Sequence, residues 1–236
     1  MTRRFYDRLA ADYHRIYADW PSSVRRQGEA LHRLLGGHPR RVLDCACGIG
    51  TQAVGLAAQG HEVTGTDLSP AALARVTGIP VAAADMRALP FPDATFDAVV
   101  CADNSLPHLL TPEDVRRALT EMHRVLRRGG RLIVSTRDYD EARRTHPAAT
   151  RPSVHEAPDG RTITFQLWHW HPDGTHYDVE LFQVFPDLTT TVHTTTYWAI
   201  TRAELQDFVE AAGFSTPTWH EPEESGFFQP ILTAKT

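Results

Sequence analysis

The spacing of apolar positions changes twice along the chain and divides it into three kinds of segment. In residues 2–35 apolar side chains recur every three or four residues, as at Phe5, Leu9 and Ile16, which predicts amphipathic helices with a break at Trp20-Pro21. From about residue 41 short apolar runs alternate with helical patterns, as in parallel α/β sheets. Beyond about residue 150 apolar and polar positions alternate, which predicts antiparallel strands.

Five apolar runs in the middle of the chain predict the strands of a parallel sheet. The first begins near residue 41, and the others cover residues 61–66, 81–84, 96–101 and 131–136. A long helix opens at Thr111 or Glu113 and runs through Leu126, and a turn at residues 127–130 leads into the fifth strand. Strands that alternate with helical segments in this way are typical of a doubly wound sheet.

Three segments in the last third of the chain carry the alternation of antiparallel strands: residues 162–170, 177–185 and 191–200. Pro172-Asp173-Gly174 and Pro186-Asp187 separate them as turns. Thr201 is a suitable N-cap for a helix over residues 202–212, which Gly213 ends, and residues 226–235 supply a final strand. We expect the three strands to form a lid inserted into the larger fold.

Two glycines, Gly48 and Gly50, join the first predicted strand to the helix that follows it. A strand, a glycine turn and a helix form a small-molecule site at the carboxyl end of the first strand in doubly wound sheets. Glycine has no Cβ, so a ligand can lie directly against the backbone at such a turn. Two classes of cofactor use this arrangement.

The residues around the turn fit a motif of each class. Gly48 to Ala53 fits a loose dinucleotide pattern, in which Asp67 follows Gly50 by 17 residues. The spacing Asp-x-x-x-Gly-x-Gly, with Asp44 ahead of the turn, instead resembles motif I of the class I S-adenosylmethionine-dependent methyltransferases. In that family the acid lies near the methionine part of the cofactor, and the glycines pack close to its ribose. The later strand ends favour this second interpretation.

Acidic residues follow the second and third predicted strands. Asp67 is suited to accept hydrogen bonds from both hydroxyls of a ribose. Asp85 is placed to accept from the exocyclic amine of adenine, with Met86 against the ring face, but a strand-end Asp that caps a turn explains the position equally well. Because parallel strands end at one edge of a sheet, these groups are expected to meet there.

The chain resembles class I methyltransferases over nearly its whole length, and more closely the glycine and sarcosine N-methyltransferase group with related bacterial small-molecule enzymes. Asp103-Asn104-Ser105-Leu106-Pro107-His108-Leu109 resembles that group's Gly-Asn-Ser-Phe-Ala-His-Leu, and Arg137-Asp138-Tyr139-Asp140 resembles its Arg-Asn-Tyr-Asp. The inserted strands stand where that group has its extra sheet. The resemblance implies S-adenosyl-L-methionine as cofactor and S-adenosyl-L-homocysteine as product.

The resemblance also implies contacts to the cofactor and to the acceptor. Arg26 offers the planar two-pronged cation that a methionine-type carboxylate needs, and Asn104 and Arg137 would hold an acceptor carboxylate. Asp103 replaces the group's glycine and Met86 replaces an aromatic residue, which leaves the identity of the acceptor open. The expected cofactor-binding residues are Tyr6, Tyr13, Arg26, Asp44, Ala46, Gly48, Gly50, Gln52, Asp67, Leu68, Asp85, Met86, Ala102, Asp103, Asn104 and Ser105.

Transfer to an amine requires an acceptor that has lost its proton, because an aliphatic amine is mostly protonated at neutral pH. His108 is the candidate for accepting that proton, and its alternative role is a hydrogen bond to a loop carbonyl. The fifth strand positions Arg137 to clamp an acceptor carboxylate, and its alternative is an internal ion pair with Asp138 or Asp140. The predicted catalytic residues are therefore Asn104, His108 and Arg137.

These elements predict an α/β fold with a doubly wound, mostly parallel seven-stranded sheet, the Rossmann-like methyltransferase fold. An N-terminal helical cap and an inserted three-stranded antiparallel sheet complete it. We expect one methyltransferase domain, in which residues 1–38 form the cap and residues 39–145 the cofactor-binding core. Residues 155–200 form the antiparallel insertion, and residues 201–236 the C-terminal helix and strands that close the sheet.

Composition excludes several other classes of partner. The net charge is −5, and the eight arginines of residues 1–40 are scattered rather than clustered, which argues against nucleic acid. The chain has no 18-residue apolar run and no secretory h-region, so we expect a soluble cytoplasmic protein without a membrane partner. The three cysteines are expected to be reduced. His169 and His171 share a strand face but lack a third ligand by spacing, so no metal is expected.

We therefore expect S-adenosylmethionine-dependent methyl transfer to a small molecule, with the amine of a small amino acid or amine-bearing metabolite as the preferred acceptor. An O-methyltransferase of a natural product is the nearer alternative, and an NAD(P)-dependent oxidoreductase the more distant one. A catalytically silent binding module is the non-enzyme alternative. The sequence does not distinguish a monomer from a homo-oligomer.

Overall fold

The computed structural model describes residues 2–236, and Met1, the first residue of the predicted cap, lies outside the described residues. Within that range eleven strands form two sheets. The strands are β1 (Arg41–Cys45), β2 (Glu62–Asp67), β3 (Val81–Ala83), β4 (Phe96–Cys101), β5 (Leu126–Ser135), β6 (Ser153–Ala157), β7 (Gly160–Trp170), β8 (His176–Val184), β9 (Thr190–Trp198), β10 (Ser215–His220) and β11 (Ile231–Lys235). The helices are α1 (Thr2–Leu9), α2 (Trp20–Leu34), α3 (Thr51–Ala58), α4 (Pro70–Leu73), α5 (Pro112–Val125), α6 (Tyr139–Thr145), α7 (Arg202–Ala211) and α8 (Pro222–Ser225), with 3₁₀ turns at Tyr13–Ile16 and Leu106–His108.

The first sheet has seven strands in the spatial order β3-β2-β1-β4-β5-β11-β10. The five strands from β3 to β5 run parallel, whereas β11 pairs antiparallel with both β5 and β10. The chain order reverses between β1 and β4, and doubly wound sheets bind ligands at such a reversal. The predicted doubly wound, mostly parallel seven-stranded sheet is confirmed.

Helices cover both faces of this sheet, because successive strand residues point to opposite sides and both sets are apolar. Leu43 and Val99 pack in the core beneath α5 and α7, whereas Val42 and Val100 pack in the core beneath α2 and α3. The Thr111 side chain caps the amino end of α5, as its hydroxyl suits it to do. The charged side chains of these buried strands therefore stand near the strand ends, and those at the carboxyl ends face the candidate site.

Helices α2 and α3 approach each other closely at two glycines. A Cβ added to Gly55 would lie 2.4 Å from the carbonyl oxygen of Val24 and 3.0 Å from the Cα of Gly28. This close packing places Gln52 beside Gln27, and the Nε2 of Gln52 donates a hydrogen bond to the Oε1 of Gln27 at 2.7 Å. Because α3 begins directly after the glycine turn, the contact fixes the helix behind the candidate site.

The second sheet is antiparallel, with the order β6-β7-β8-β9. Strands β8 and β9 contribute Tyr177, Leu181 and Tyr197 to a core that also contains Phe5 and Leu9 of α1. Helix α1 contacts both β9 and α4, the helix that follows β2. The N-terminal helix therefore connects the second sheet, which we call the lid, to the ligand-binding end of the first.

The predicted three-stranded insertion is wrong by one strand, because β6 pairs with β7 and makes the lid four-stranded. The sequence did not predict β6 because its polar and apolar residues do not follow the buried and exposed positions. The polar residue His155 is buried, whereas the apolar residue Val154 is exposed, as is Glu156. The apolar/polar alternation that reveals β7 to β9 is therefore missing. The short elements β10, α6 and α8 likewise have no distinct signal in the sequence.

The predicted break at Trp20-Pro21 is also wrong. The first helix ends at Leu9, and Trp20 and Pro21 instead open α2, where Asp19 accepts a hydrogen bond from the Ser22 N–H. Proline fits the first turn of a helix because no helical hydrogen bond needs its missing N–H there. The turn predicted at residues 127–130 lies within β5, which begins at Leu126 and contains an irregular register against β4.

Across residues 2–236 no helix has both the length and the apolar character needed to cross a membrane.

We predict that Gly55→Ala destabilises the protein by about 1–3 kcal/mol, because the new methyl group would overlap the Val24 carbonyl oxygen. Helix propensity alone gives the opposite sign, a gain of about 1 kcal/mol for alanine over glycine. Chemical denaturation monitored by circular dichroism measures the free energy of unfolding. Glu29→Ala, at an exposed position of α2, is the control and should change little. A Gly55→Ala variant as stable as the wild type would contradict the close packing.

Candidate functional site

The ends of β1 and β4 hold their side chains on strained backbone. Ala46, Asp103 and Asn104 have positive φ angles of 73°, 54° and 64°. Residues other than glycine adopt this region uncommonly, Asp and Asn more often than the rest, and surrounding contacts have to hold them there. Here the Ala46 N–H donates to the Thr66 carbonyl oxygen, and the Asp103 N–H donates to the Oγ of Ser135 at 2.8 Å.

A cavity of about 280 Å³ lies at the carboxyl ends of β1, β2 and β3. We call it the nucleoside cavity because it contains the residues expected to contact ribose and adenine. Ten predicted site residues line it: Tyr6, Tyr13, Ala46, Gly48, Asp67, Leu68, Asp85, Met86, Ser105 and His108. The structure therefore brings together residues that are far apart in the sequence.

A second cavity, of about 710 Å³, extends from the rim of the first sheet to the lid. We call it the acceptor cavity. Predicted residues in its walls are Tyr6, Tyr13, Arg26, Asp103, Asn104 and Arg137. The lid contributes Gln166, Leu181 and Tyr197.

Tyr6 and Tyr13 line both cavities. The Cε1 of Tyr13 lies only 3.2 Å from where a Cβ would stand on Gly48, so glycine lets this ring pack against the turn. The two tyrosines separate the cavities. A ligand long enough to reach from one cavity into the other has to pass beside them.

Four predicted cofactor residues line neither cavity: Asp44, Gly50, Gln52 and Ala102. Gly50 precedes α3 with a φ of 89°, and Ala102 is buried directly after β4. Gln52 is hydrogen-bonded to Gln27, whose side chain lines the acceptor cavity. In this structure the four residues lie behind the cavity walls and support them.

Asp44 is buried at the end of β1, and its Oδ2 has no hydrogen-bond partner among residues 2–236. Burial raises the pKa of Asp44 to about 7, and the charge of Asp67 adds to that rise. A buried carboxylate oxygen without a partner is costly, so it favours either a proton or a cationic group nearby. Asp44 therefore introduces negative charge beside the glycine turn only when that charge is compensated.

Asp67 joins the end of β2 to the glycine turn. Its Oδ2 accepts from the Gly48 N–H at 2.9 Å, and its Oδ1 accepts from the Ser69 N–H at 2.8 Å. Burial raises the pKa of Asp67, and these two N–H groups oppose the rise. Each carboxylate oxygen keeps a further lone pair, so the group remains able to accept from hydroxyls in the nucleoside cavity.

Asp85 also lines the nucleoside cavity, but its carboxylate is already paired. Arg87 contacts it from the same turn, with Nη2 2.6 Å from Oδ2, and the Arg87 Nη1 donates to Asp114 at 2.9 Å. The hydrogen bonds from Arg87 lower the pKa of Asp85. The role of Asp85 in binding adenine stays a prediction, and in that role the carboxylate would be shared between the amine and Arg87.

His108 lies between Tyr6 of the N-terminal helix and Tyr197 of the lid. Its Nε2 is 2.8 Å from the Tyr6 hydroxyl, and its ring packs against Tyr197 at a tilt of 35° with centroids 4.2 Å apart. Burial lowers the pKa of His108 to about 3, and the nearby charge of Arg137 adds to the effect. The imidazole is therefore neutral at physiological pH, and its role as proton acceptor stays a prediction.

Arg137 follows β5 and reaches the lid. Its Nη1 donates to the Tyr177 hydroxyl and its Nη2 to the Oε1 of Gln166, both at 2.9 Å. Its guanidinium carbon lies 4.7 Å from the ring centre of Trp168 and 5.1 Å from that of Tyr197. Among residues 2–236 it forms no ion pair, so the internal pairs considered from the sequence are absent there. A cation that lines a cavity without an anionic partner is suited to bind one.

Asn104 provides a second unpaired donor next to this cation. It is 3 % exposed and lines the acceptor cavity, and its Oδ1 accepts from the Arg137 backbone N–H at 3.2 Å. Its buried Nδ2 has no partner in the part of the chain that the structure describes. Buried polar groups are nearly always paired, so this amide favours a ligand that accepts a hydrogen bond.

Several cavity residues were not predicted as site residues from the sequence, among them Tyr17, Gln166 and Gln229. Tyr17 fitted the helical periodicity, and Gln166 fitted the strand alternation, so both patterns already had an explanation. Gln229 follows the short helix α8, where no motif marks it. Tyr197, also absent from the predicted site, belongs to the lid core and lines the acceptor cavity.

Neither a metal site nor a reactive thiol is formed by residues 2–236. That range contains no group of three or more His, Cys, Asp or Glu side chains placed to hold a metal ion. Cys45, Cys47 and Cys101 are free and buried. Burial raises the pKa of Cys101 to about 12, which keeps the thiol protonated and unreactive.

Comparison with known sequences points to one enzyme class. A family model described as methyltransferase domain matches residues 43–134. Over 132 residues the chain is 37% identical to a glycine/sarcosine N-methyltransferase of Parasynechococcus marenigrum, which covers 52% of the chain and 47% of the relative. Over 176 residues it is 32% identical to a malonyl-[acyl-carrier protein] O-methyltransferase of Erwinia billingiae, covering 70% and 62%. The chain thus spans about half to three fifths of the length of these curated relatives.

Comparison with solved structures supports the same fold over the whole chain. The CcbJ methyltransferase from Streptomyces caelestis superposes with a TM-score of 0.80 and covers 98% of this chain and 97% of its own. The two sequences are 17% identical, so the similarity establishes the fold alone. The resemblance noted in the sequence is confirmed for the fold and for the domain at residues 43–134.

We predict that Asp44→Asn becomes increasingly more stable than the wild type as pH rises from about 4 to about 7. The pKa of Asp44 is raised in the folded state, so in this range the unfolded wild type releases a proton that the folded wild type retains. The difference should reach roughly 2–4 kcal/mol and then level off. Urea denaturation at each pH measures it.

Asp97→Asn is the control for Asp44→Asn. The Arg41 N–H and Arg127 hold the pKa of Asp97 below its usual range against the effect of burial, so its contribution to stability is lost as pH falls. The stability difference between wild type and Asp97→Asn should therefore change mainly below about pH 4, with the opposite sign, and stay nearly constant where the Asp44→Asn difference grows. A difference between wild type and Asp44→Asn that does not vary with pH would contradict the raised pKa.

Proposed function

We propose that this chain, whose residues 43–134 form a methyltransferase domain, binds S-adenosyl-L-methionine and transfers its methyl group to a small-molecule amine. One observation carries the proposal. The nucleoside cavity, with the carboxylate of Asp67 in its wall, adjoins a cavity that contains the unpaired cation of Arg137. This arrangement supports two reactants held side by side.

The residues of the nucleoside cavity fit a sulfonium nucleoside in their chemistry. Asp67 can accept from two neighbouring hydroxyls while it retains its bonds to the backbone. Met86 supplies an apolar, polarisable surface for a flat ring. Asp44 lies behind the cavity wall, and its unpaired buried oxygen favours positive charge nearby. Arg26 in the acceptor cavity supplies a cation for a carboxylate.

When bound, S-adenosyl-L-methionine supplies a methyl group on an already activated sulfonium. The protein then mainly has to align the acceptor, and such alignment contributes about 7–11 kcal/mol to lowering a barrier. Tyr6 and Tyr13 line both cavities, and Tyr197 lines the acceptor cavity. Their rings also favour a cationic amine, which aromatic faces attract.

Arg137 and Asn104 orient an acceptor that carries a carboxylate. The lid holds the guanidinium by Tyr177 and Gln166, which fixes its plane but leaves its charge uncompensated. The Nδ2 of Asn104 adds a donor whose position is set by the Arg137 backbone. Together they support an amino acid as acceptor, and a relative that shares half of this chain is named glycine/sarcosine N-methyltransferase.

An oxygen acceptor is the second candidate, because one relative is named an O-methyltransferase. A hydroxyl acceptor needs a base during the transfer, and the pair of His108 and Tyr6 is hydrogen-bonded at the junction of the two cavities. The low pKa of His108 makes that base weak. The amine is therefore preferred.

A methyl-transfer screen tests the reaction directly. The purified protein is incubated with S-adenosyl-L-methionine and a panel of amino acids, small amines and phenols, and methylated products are identified by mass spectrometry. Methylation of amino acids or amines supports the proposal, and methylation of phenols alone supports the oxygen acceptor. Stabilisation of the fold by a nicotinamide dinucleotide, without stabilisation by S-adenosyl-L-homocysteine, would contradict both.

We predict that Asp67→Ala weakens binding of S-adenosyl-L-homocysteine by about 100-fold or more, because two hydrogen bonds to a charged acceptor are lost. Isothermal titration calorimetry gives the dissociation constant, and a thermal melt establishes that the variant is folded. Asp93→Ala, at an exposed carboxylate paired with Arg124, is the control and should bind normally. Near-normal affinity in folded Asp67→Ala would exclude the ribose role.

We predict that Arg137→Lys raises the KM of the acceptor about ten-fold or more and leaves the KM of S-adenosyl-L-methionine unchanged. Lysine retains the charge but loses the planar fork that binds a carboxylate through two bonds. Steady-state kinetics with each substrate varied in turn measures both constants. Arg131→Lys in β5 is the matched control, because Arg131 binds the Leu34 carbonyl oxygen and lines neither cavity. Unchanged acceptor kinetics would remove Arg137 from the acceptor site.

A further inference from the structure

Two carboxylates line the acceptor cavity without a role in the proposed function: Asp19 caps helix α2, whereas Asp103 has no such structural task. Asp103 is partly exposed in the cavity wall, and its Oδ2 accepts a hydrogen bond from the Tyr17 hydroxyl at 2.8 Å. Its Oδ1 has no hydrogen-bond partner among residues 2–236, and within that range no ion pair neutralises it. A negative group is therefore available to a ligand in the same cavity as Arg137.

The position of this carboxylate is fixed by the backbone and not by a flexible loop. Asp103 has a φ of 54°, and its N–H donates to the Oγ of Ser135 at 2.8 Å. Ser135 is fully buried and donates in turn to the Oε1 of Gln229 at 3.0 Å. Asp is one of the few residues besides glycine that adopt the left-handed conformation, and these hydrogen bonds hold the side chain in place at the cavity.

Aromatic rings surround the same part of the cavity. The ring centres of Tyr6 and Tyr13 are 5.8 Å apart, and those of Tyr13 and Tyr17 are 6.4 Å apart. Tyr197 lines the cavity as well. Several aromatic faces and one carboxylate form the kind of site that binds an ammonium group, because both attract a cation.

We propose that Asp103 binds the ammonium group of the acceptor and removes its proton, while Arg137 and Asn104 bind a carboxylate at the other end of the same molecule. The acceptor is then a zwitterion, and Asp103 determines that its reacting end is an amine. This inference rests on the proposed function, since it concerns the second reactant of the same site.

The proton transfer is balanced within the site. One N–H bond of the ammonium breaks, its electron pair remains on nitrogen as the lone pair needed for attack, and the proton joins a carboxylate oxygen of Asp103. Water takes this proton when the cavity opens after transfer. Burial raises the pKa of Asp103, although Tyr17 and Arg137 oppose the rise, and a higher pKa brings the carboxylate closer to the amine. His108 is less suited, because burial and Arg137 lower its pKa to about 3.

The variant Asp103→Asn tests this role without disturbing the fold. Asparagine has the same shape, tolerates a positive φ and can still accept the Tyr17 hydrogen bond, but it carries no charge and no basic oxygen. Asp159→Asn, at an exposed lid carboxylate, is the matched control. Thermal melts of both variants establish that they are folded.

Three probes separate the two ends of the acceptor: methylammonium carries the cation, acetate the anion, and sarcosine both. Their affinities are measured by ligand-observed NMR with the full chain saturated by S-adenosyl-L-homocysteine. Asp103→Asn should weaken methylammonium and sarcosine about ten-fold or more, and acetate should bind equally well or more tightly. Arg137→Lys should weaken acetate and sarcosine and leave methylammonium unchanged.

Equal affinity of wild type and Asp103→Asn for methylammonium, including no binding to either, would overturn the inference. A loss of all three probes in folded Asp103→Asn would also overturn it, since it would indicate a structural role. Failure of the proposed function gives a different result from failure of this inference. If the proposed function is wrong, the wild type does not bind S-adenosyl-L-homocysteine, which is seen before any probe is added.

Discussion

The partly buried guanidinium of Arg137 is the interaction on which the arrangement of the two sheets depends. It extends from the end of β5 and is held by Tyr177 and Gln166 of the lid, with Trp168 and Tyr197 against its faces. All four partners are neutral side chains, so these contacts hold the lid over the sheet without neutralising the positive charge of Arg137. The same contacts that join the sheets therefore make the acceptor cavity attractive to an anion.

The opposite end of the site is organised by carboxylates. Asp67 connects the end of β2 to the N–H groups of Gly48 and Ser69, and Asp44 lies buried next to the same turn with one oxygen unpaired. Carboxylates thus line the nucleoside end, where Arg87 is paired with Asp85, and the unpaired cation of Arg137 marks the acceptor end. Asp103 adds a carboxylate to the cavity that contains Arg137, which is why it suggests an acceptor that carries both charges.

The sequence predicted the central sheet well because buried parallel strands are apolar on both faces and end at polar residues. β4 was predicted to the residue, and the glycine turn after β1 located the site. The prediction failed for β6, where His155 is buried and Val154 exposed. A prediction from periodicity assumes that apolar residues are buried, and this strand does not follow that rule. It failed at Trp20-Pro21 because a proline that opens a helix and one that interrupts a helix have the same local sequence.

The candidate site was predictable where a motif or a strand end carried it, as for Asp67 and Arg137. Residues of the cap and lid were less accessible, because Tyr17 and Gln166 approach the site only through long-range packing. The pairing of Asp85 with Arg87 was likewise invisible, because either residue alone fits a solvated turn.

The central claim is that the carboxyl ends of the parallel strands bind a sulfonium nucleoside beside a cation that faces the acceptor. A crystal structure with S-adenosyl-L-homocysteine tests it most directly. The account predicts both ribose hydroxyls on the carboxylate of Asp67, and the sulfur directed towards the cavity that contains Arg137. A nucleoside bound elsewhere, or a groove that accepts a pyrophosphate-bearing ligand instead, would contradict it.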